Sequence, residues 1–272
     1  MLDLNDLETW NKIDNPFHNS KNIPLLIKKL KQTFDKEILA ELIFEYMYHQ
    51  GTLYEATFAT FPYLIEICES SNDLNYHLET LLNSTACLAE FNEKDELEAI
   101  FENSKCSFET ITDIIGSFRE AFKKLNPIAE SLMNKILEKE EYEKRYFLLA
   151  LAVANEIHQV SRILGTYSEN EEYECSCPNC DEPFFLLNED GKLFLYTEDL
   201  VFNKKQNKYL VQPSSLNESD LSSQISADKN YEWLSYYIEK LNIESLKTTI
   251  NYLFGHSVCP HCKTKFAIFE NI

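Results

Sequence analysis

Two short cysteine motifs near the C-terminal end hold the residues best suited to chemistry: Cys177-Pro178-Asn179-Cys180 and Cys259-Pro260-His261-Cys262. A thiolate is a soft, strong ligand, and two Cys-x-x-Cys pairs supply the four sulfurs of a tetrahedral zinc site. Cys177, Cys180, Cys259 and Cys262 are therefore expected to bind Zn2+. Four thiolates leave no coordination position for water, so the ion is expected to be structural rather than catalytic. The same residues also admit two other readings: spare reduced thiols, or redox disulfides within each pair. Cys175 precedes the first motif, and His256 and His261 accompany the second. Cys175 is read as a bystander and His261 as solvent-facing, while a contribution of Cys175, His256 or His261 to the site stays open.

The elements around the motifs must bring them together. Each motif is followed by an apolar run with strand character, Phe184-Phe185-Leu186-Leu187 and Phe266-Ala267-Ile268-Phe269. That is the pattern of a zinc ribbon knuckle, but 79 positions separate Cys180 from Cys259. Between them the sequence predicts a turn at Asn188-Glu189-Asp190-Gly191, strands at 193–196 and 209–211, a polar loop at 213–230, and a helix from Tyr231 to Phe254 capped by Gly255. A metal ion would close this long loop and stabilise a region with little core of its own.

Residues 1–165 read as successive helices. Ile23, Leu26, Ile27 and Leu30 follow the helical period. A second helix is expected from Lys36 to His49, with Gly51 as its stop and Thr52-x-x-Glu55 as the capping box of the next. Asp73 is the expected N-cap of the helix after that. Further helices are expected near 95–103, 108–124, 127–140 and 142–164, followed by a polar link at 167–174. Ile23-Pro24-Leu25-Leu26-Ile27 echoes Phe61-Pro62-Tyr63-Leu64-Ile65 at a spacing of 38, and Asn126-Pro127-Ile128-Ala129 begins a looser third copy. A period near 40 points to HEAT-type helical repeats. The expected fold is mainly α: a HEAT-like helical repeat stack over 1–165, with a small zinc-ribbon-like α+β module over 166–272.

Other chemistry is weakly signalled. No phosphate-binding glycine loop, Gly-x-Ser-x-Gly elbow or His-Glu-x-x-His helix occurs. Glu45, His49, Tyr54 and Glu55 flank Gly51, and Asn155, Glu156 and His158 sit together further on. Both groups are read as solvated or capping residues, so the protein is expected not to be an enzyme.

The 272 residues are 44% hydrophobic and 13% aromatic, enough for a real core. With 45 acidic against 25 basic residues the net charge is −20. Such a field repels nucleic acid and anionic membrane and attracts a basic protein; charge that serves solubility alone is the plainer reading. The acidic N-terminus lacks the features of a signal peptide, and no apolar stretch reaches the roughly 20 residues that span a bilayer. A cytoplasmic protein is expected, without disulfides, and its oligomeric state is left open, a monomer being the expectation for the free protein.

The stretch His49-Gln50-Gly51-Thr52-Leu53-Tyr54-Glu55-Ala56-Thr57, continued by Ala59, Phe61, Pro62, Tyr63 and Leu64, resembles a signature of small bacterial HEAT-repeat-like proteins. Many of these carry a Cys-Pro-x-Cys zinc ribbon toward the C-terminus, and some resemble immunity proteins of toxin systems. The resemblance implies a binding scaffold that neutralises a basic toxin, such as a nuclease, by occluding its active site. A zinc-ribbon adaptor in a cytoplasmic complex is the alternative, with a hydrolase third.

Overall fold

Short polar side chains start four helices among the described residues of the first half of the chain. Asp6 accepts a hydrogen bond from the amide of Thr9, Asp35 from the amides of Glu37 and Ile38, Asp73 from the amide of Asn75, and the Ser107 hydroxyl from the amide of Thr110. Each replaces a partner that the first turn of a helix lacks. The structure, a computed structural model, describes residues 1–17, 20–165, 172–199, 203, 207–214 and 229–272, the side chains at 93–95 excepted. The link expected at 167–174 and the loop expected at 213–230 lie largely outside these residues. The described part is mainly helical, with short antiparallel strands, most of them toward the C-terminus. None of the described helices is long and apolar enough to cross a membrane. The chain divides into two compact units, residues 1–139 with 149–161 and residues 140–148 with 162–272.

In the first unit, α1 (Leu7–Trp10) leads to α2 (Ile23–Gln32), where Ile23, Leu26, Ile27 and Leu30 are buried and Leu25 is exposed. The helix α3 (Lys36–Glu41) then widens into a π-helical turn over Leu42–Met47. Here the structure departs from the sequence expectation. In place of a helix to His49, β1 (Tyr48–His49) and β2 (Thr52–Leu53) form a small hairpin. Gln50 and Gly51 have φ of 48° and 81°, as the two central residues of a type I′ turn require. Thr52 therefore lies in a strand, and Glu55 turns inward, accepting from the Asp14 amide at 2.9 Å. The helix α4 (Glu55–Ser70) starts instead at Tyr54, whose amide donates to the Thr57 hydroxyl at 3.2 Å.

All residues of α4 from Glu55 to Ile65 are buried. A helix covered on every face is a central one, and α4 packs against α2, α5 (Leu74–Cys87) and, beyond α6 (Glu93–Phe101), α7 (Phe108–Phe122). Phe58 is the meeting point: its ring lies 5.3 Å from Phe91, 5.6 Å from Phe101 and 4.8 Å from Phe118, each at 62°. Such edge-to-face contacts add to the stabilisation from burial. The helix α8 (Leu125–Ile136) completes this unit, and α9 (Glu141–Ala154) and α10 (His158–Gly165) each contribute residues to both units.

The single helix expected over 142–164 is thus two. Between them the Glu156 amide donates to Val153 O and the Ile157 amide to Ala152 O, both at 3.0 Å, with Glu156 at φ 57°. This is a Schellman stop with glutamate where glycine or asparagine is usual. The three echoed prolines occupy unlike places: the first turn of α2 and of α8 for Pro24 and Pro127, the interior of α4 for Pro62.

The second unit holds a four-stranded antiparallel sheet of β3 (Glu172–Ser176), β4 (Pro183–Glu189), β5 (Lys192–Tyr196) and β6 (Lys208–Leu210), in that order. The expected turn at 188–191 is present: Asp190 and Gly191, at φ 54° and 78°, make a second type I′ turn. The helix expected over 231–254 is again two, α11 (Lys229–Leu241) and α12 (Glu244–Leu253). Asn242, at φ 53°, makes the stop, and the Ile243 amide donates to Ile238 O at 3.1 Å. The chain then enters the hairpin β7 (His256–Val258) and β8 (Lys265–Ala267). Gly255 precedes β7 for a reason other than helix capping. A Cβ there would lie 2.1 Å from the Gln212 carbonyl oxygen, so only glycine admits the bridge in which Gln212 and His256 exchange amide hydrogen bonds of 2.8 and 2.9 Å.

Candidate metal centre

Both cysteine motifs fold as the same six-residue turn at the tip of a hairpin. Ser176 and Pro183 are the last paired residues of β3 and β4; Val258 and Lys265 are those of β7 and β8. In the first turn the Cys177 amide donates to Glu182 O at 3.0 Å and the Asp181 amide to Cys177 O at 2.9 Å. In the second the Cys259 amide donates to Thr264 O at 2.9 Å and the Lys263 amide to Cys259 O at 3.0 Å. Asp181 and Lys263 hold the matching left-handed position, at φ 55° and 65°. Pro178 and Pro260 sit one residue after the first cysteine of each turn, where their fixed φ suits the start of a tight turn and no amide is needed.

The two turns bring all four expected ligands together. Cys177 Sγ lies 3.6 Å from Cys262 Sγ, and Cys180 Sγ lies 3.7 Å from Cys259 Sγ. All four sulfurs fall within 4.8 Å of one another. A Zn–S bond of about 2.3 Å in a tetrahedron sets its sulfurs about 3.8 Å apart. The cluster therefore has the size and donor set to hold a metal ion. Cys177 and Cys259 are fully buried, Cys262 is half-exposed and Cys180 is exposed, so the site has a dry side and a wet side.

The surroundings shape the thiols. The Thr264 hydroxyl lies 3.3 Å from Cys262 Sγ, and the Cys262 amide donates to Cys259 Sγ at 3.4 Å. Thr264, by side chain and backbone, and then the Asn179 side chain hold the Cys262 thiol down to about 5. For Cys180 the Glu182 amide pulls downward, but desolvation and the sulfurs of Cys262, Cys177 and Cys259 outweigh it and push the thiol up to about 12. Four thiolates this close repel one another, and a divalent cation removes that conflict.

The nearby residues that sequence left open take other places. Cys175 is buried on β3 and outside the cluster, its thiol pushed up to about 12 by burial and then by Cys177. His261 stacks on Phe184 at 6.3 Å and faces Glu182 at 3.4 Å, half-exposed. His256 lies in β7, and its nitrogens are not among the clustered ligand atoms. Phe184 and Phe266, each two residues after its turn, stack at 6.2 Å and 19°. Thr264 and Asn179 were not legible as site residues, because nothing in spacing says which hydroxyl or amide will meet a sulfur.

Of the residues weighed for acid–base chemistry, His49 and Glu55 are engaged elsewhere, whereas Glu156 and His158 line one small cavity. His49 packs edge-on against Phe17 at 5.3 Å, while Glu55 serves the Asp14 amide. Comparison with known protein families, with characterised proteins and with solved structures finds no match to this chain.

Proposed function

We propose that this chain is a non-catalytic protein-binding scaffold, in which a structural Zn2+ ion held by Cys177, Cys180, Cys259 and Cys262 assembles the second unit. The closed four-sulfur cluster carries this reading. Its donors fill the sphere of a zinc ion and leave no position at which water could be activated. The partner is a basic protein, supported by the net charge of −20; such a field steers a basic molecule and raises its association rate. The resemblance around Gly51 and the knuckles names the partner class as a bacterial toxin, neutralised in the cytoplasm by occlusion of its active site. The first unit would act as a HEAT-like stack, supported by the 38-residue echo, although the place of Pro62 inside α4 departs from its counterparts.

Affinity capture of the tagged, zinc-loaded protein from its host, with bound proteins identified by mass spectrometry, tests the reading. A single stoichiometric basic protein whose association slows as salt rises supports it. An association rate indifferent to salt removes the electrostatic part. The exposed Val258 beside the second knuckle favours one alternative, a ribbon adaptor that binds through its knuckles. Charge reversal on the first unit would leave that binding intact.

A further inference from the structure

The Glu156 stop borders a cavity of about 250 Å3 within the first unit. Phe91, Phe118, Phe122 and Val153 form its apolar wall, and Glu156 and His158 stand among its polar lining. Phe91 meets Phe118 at 6.2 Å and 87°, and Phe118 lies 5.7 Å from Phe122 at 41°, so rings of different orientation bound one small space. Phe91 and Phe118 pack on Phe58, and Phe122 packs on Phe61 and Phe118, so neighbouring rings hold all three in place. Glu156 is exposed and is the one carboxylate among the described residues that line the cavity.

Size and chemistry narrow the occupant. Pockets for drug-sized ligands hold about 300–1,000 Å3, so this space suits a single side chain better than a nucleotide or a large cofactor. Aromatic faces attract a cation, and a carboxylate beside them pairs with it. Glu156 holds a left-handed backbone at φ 57°, a conformation that disfavours any residue with a Cβ. The helix stop requires that conformation, and the residue it places there supplies the negative charge of the site.

We propose that the cavity seats one arginine side chain of a basic partner, its methylene stem against Phe118 and Phe122 and its guanidinium at Glu156. This rests on the basic-partner reading above and adds the place where such a partner is held. Guanidinium is the best match because it stacks on rings and offers a planar fork to a carboxylate.

The test uses the full zinc-loaded protein with n-butylguanidinium as probe and n-butanol as its neutral counterpart, titrated by NMR on labelled phenylalanine rings. Saturable binding of the cation, shifting the Phe118 and Phe122 signals and at least roughly tenfold tighter than butanol, is expected. Glu156→Gln should lower the cation's affinity by about tenfold and leave butanol binding unchanged. Glu156→Gly should lose the same affinity while raising Tm by roughly 2–4 °C, because it relieves the left-handed strain. Equal binding of cation and butanol, no binding of either, or an affinity untouched by Glu156→Gln overturns the proposal. The two readings fail separately. A captured basic protein without cation binding here overturns the cavity alone, whereas cation binding without a captured protein supports the cavity and removes the toxin reading.

Discussion

Cys68 and Cys87 in the first unit are almost as buried as Cys177 and Cys259 in the second, at 1% and 4% exposure against 0% for both of the clustered cysteines. Burial pushes the Cys68 and Cys87 thiols up to about 12, and the Cys87 thiol lies 3.3 Å from Asn83 O within its own helix. These two behave as small apolar side chains in a core already organised by α4 and the rings around Phe58. Cys259 and Cys262 sit in the turn of a hairpin whose strands β7 and β8 have three residues each, whereas Cys177 and Cys180 sit in the β3–β4 turn of the four-stranded sheet. A hairpin that short is not stable alone. Both units bury apolar side chains, Leu186, Leu193, Leu195 and Leu241 in the second being fully covered, and the second adds four sulfurs placed to hold an ion beside its shortest hairpin. Burial alone does not tell the two kinds of cysteine apart; spacing and turn geometry do.

Metal removal should break the comparison most strongly. Structural zinc contributes apparent free energies of about 10–16 kcal/mol in small zinc-binding peptides. A strong chelator, or Cys259→Ser, should cost the second unit its β7–β8 hairpin and the packing around it and leave the helices of the first, as read by near-UV and far-UV circular dichroism. An unchanged spectrum after complete metal loss would show that packing suffices. Phe58→Ala is the counterpart in the first unit. Removing a ring buried among three others should cost about 3–5 kcal/mol. Zinc stoichiometry should stay the same, and zinc loss in this variant would mean that the two units do not stand apart.

Smaller changes sharpen the picture within the second unit. Gly255→Ala puts a methyl group into the Gln212 carbonyl and should open the two-hydrogen-bond bridge to His256, at about 1–3 kcal/mol. Faster amide exchange at Gln212 and His256 would report it directly. Gly191→Ala meets only the Thr248 side chain, at 3.5 Å. Its penalty is the left-handed φ of 78° alone, about 1–2 kcal/mol. A loss of zinc in this variant would indicate that the sheet and the knuckles are more tightly linked than their hydrogen bonds suggest.

Legibility followed the chemistry of particular residues. Asp73 opens its helix as its side chain predicts, and Asp190-Gly191 makes the expected turn, because both signals are local. The breaks at Glu156 and Asn242 were missed for the complementary reason. Neither carries glycine or proline, and the apolar period continues across both. Gly51 was read correctly as a left-handed position, but the chain before it forms a strand rather than a helix end. The buried face of α4 decides this, since Glu55 turns inward to the Asp14 amide, a partner 41 positions away.

By itself the sequence determined the helical first half, the paired knuckles and the identity of the four clustered cysteines, because periodicity, turn residues and Cys-x-x-Cys spacing act within a few neighbours. Only the tertiary structure decided what depends on distant parts of the chain meeting. It brought sulfurs 79 and 85 positions apart to within 3.7 Å, reserved Gly255 for the approach of Gln212, and set the strained Glu156 beside the rings of Phe118 and Phe122. The physical reason is that contacts between remote residues follow from how whole elements bury their faces, and no local pattern encodes which remote backbone or side chain will arrive.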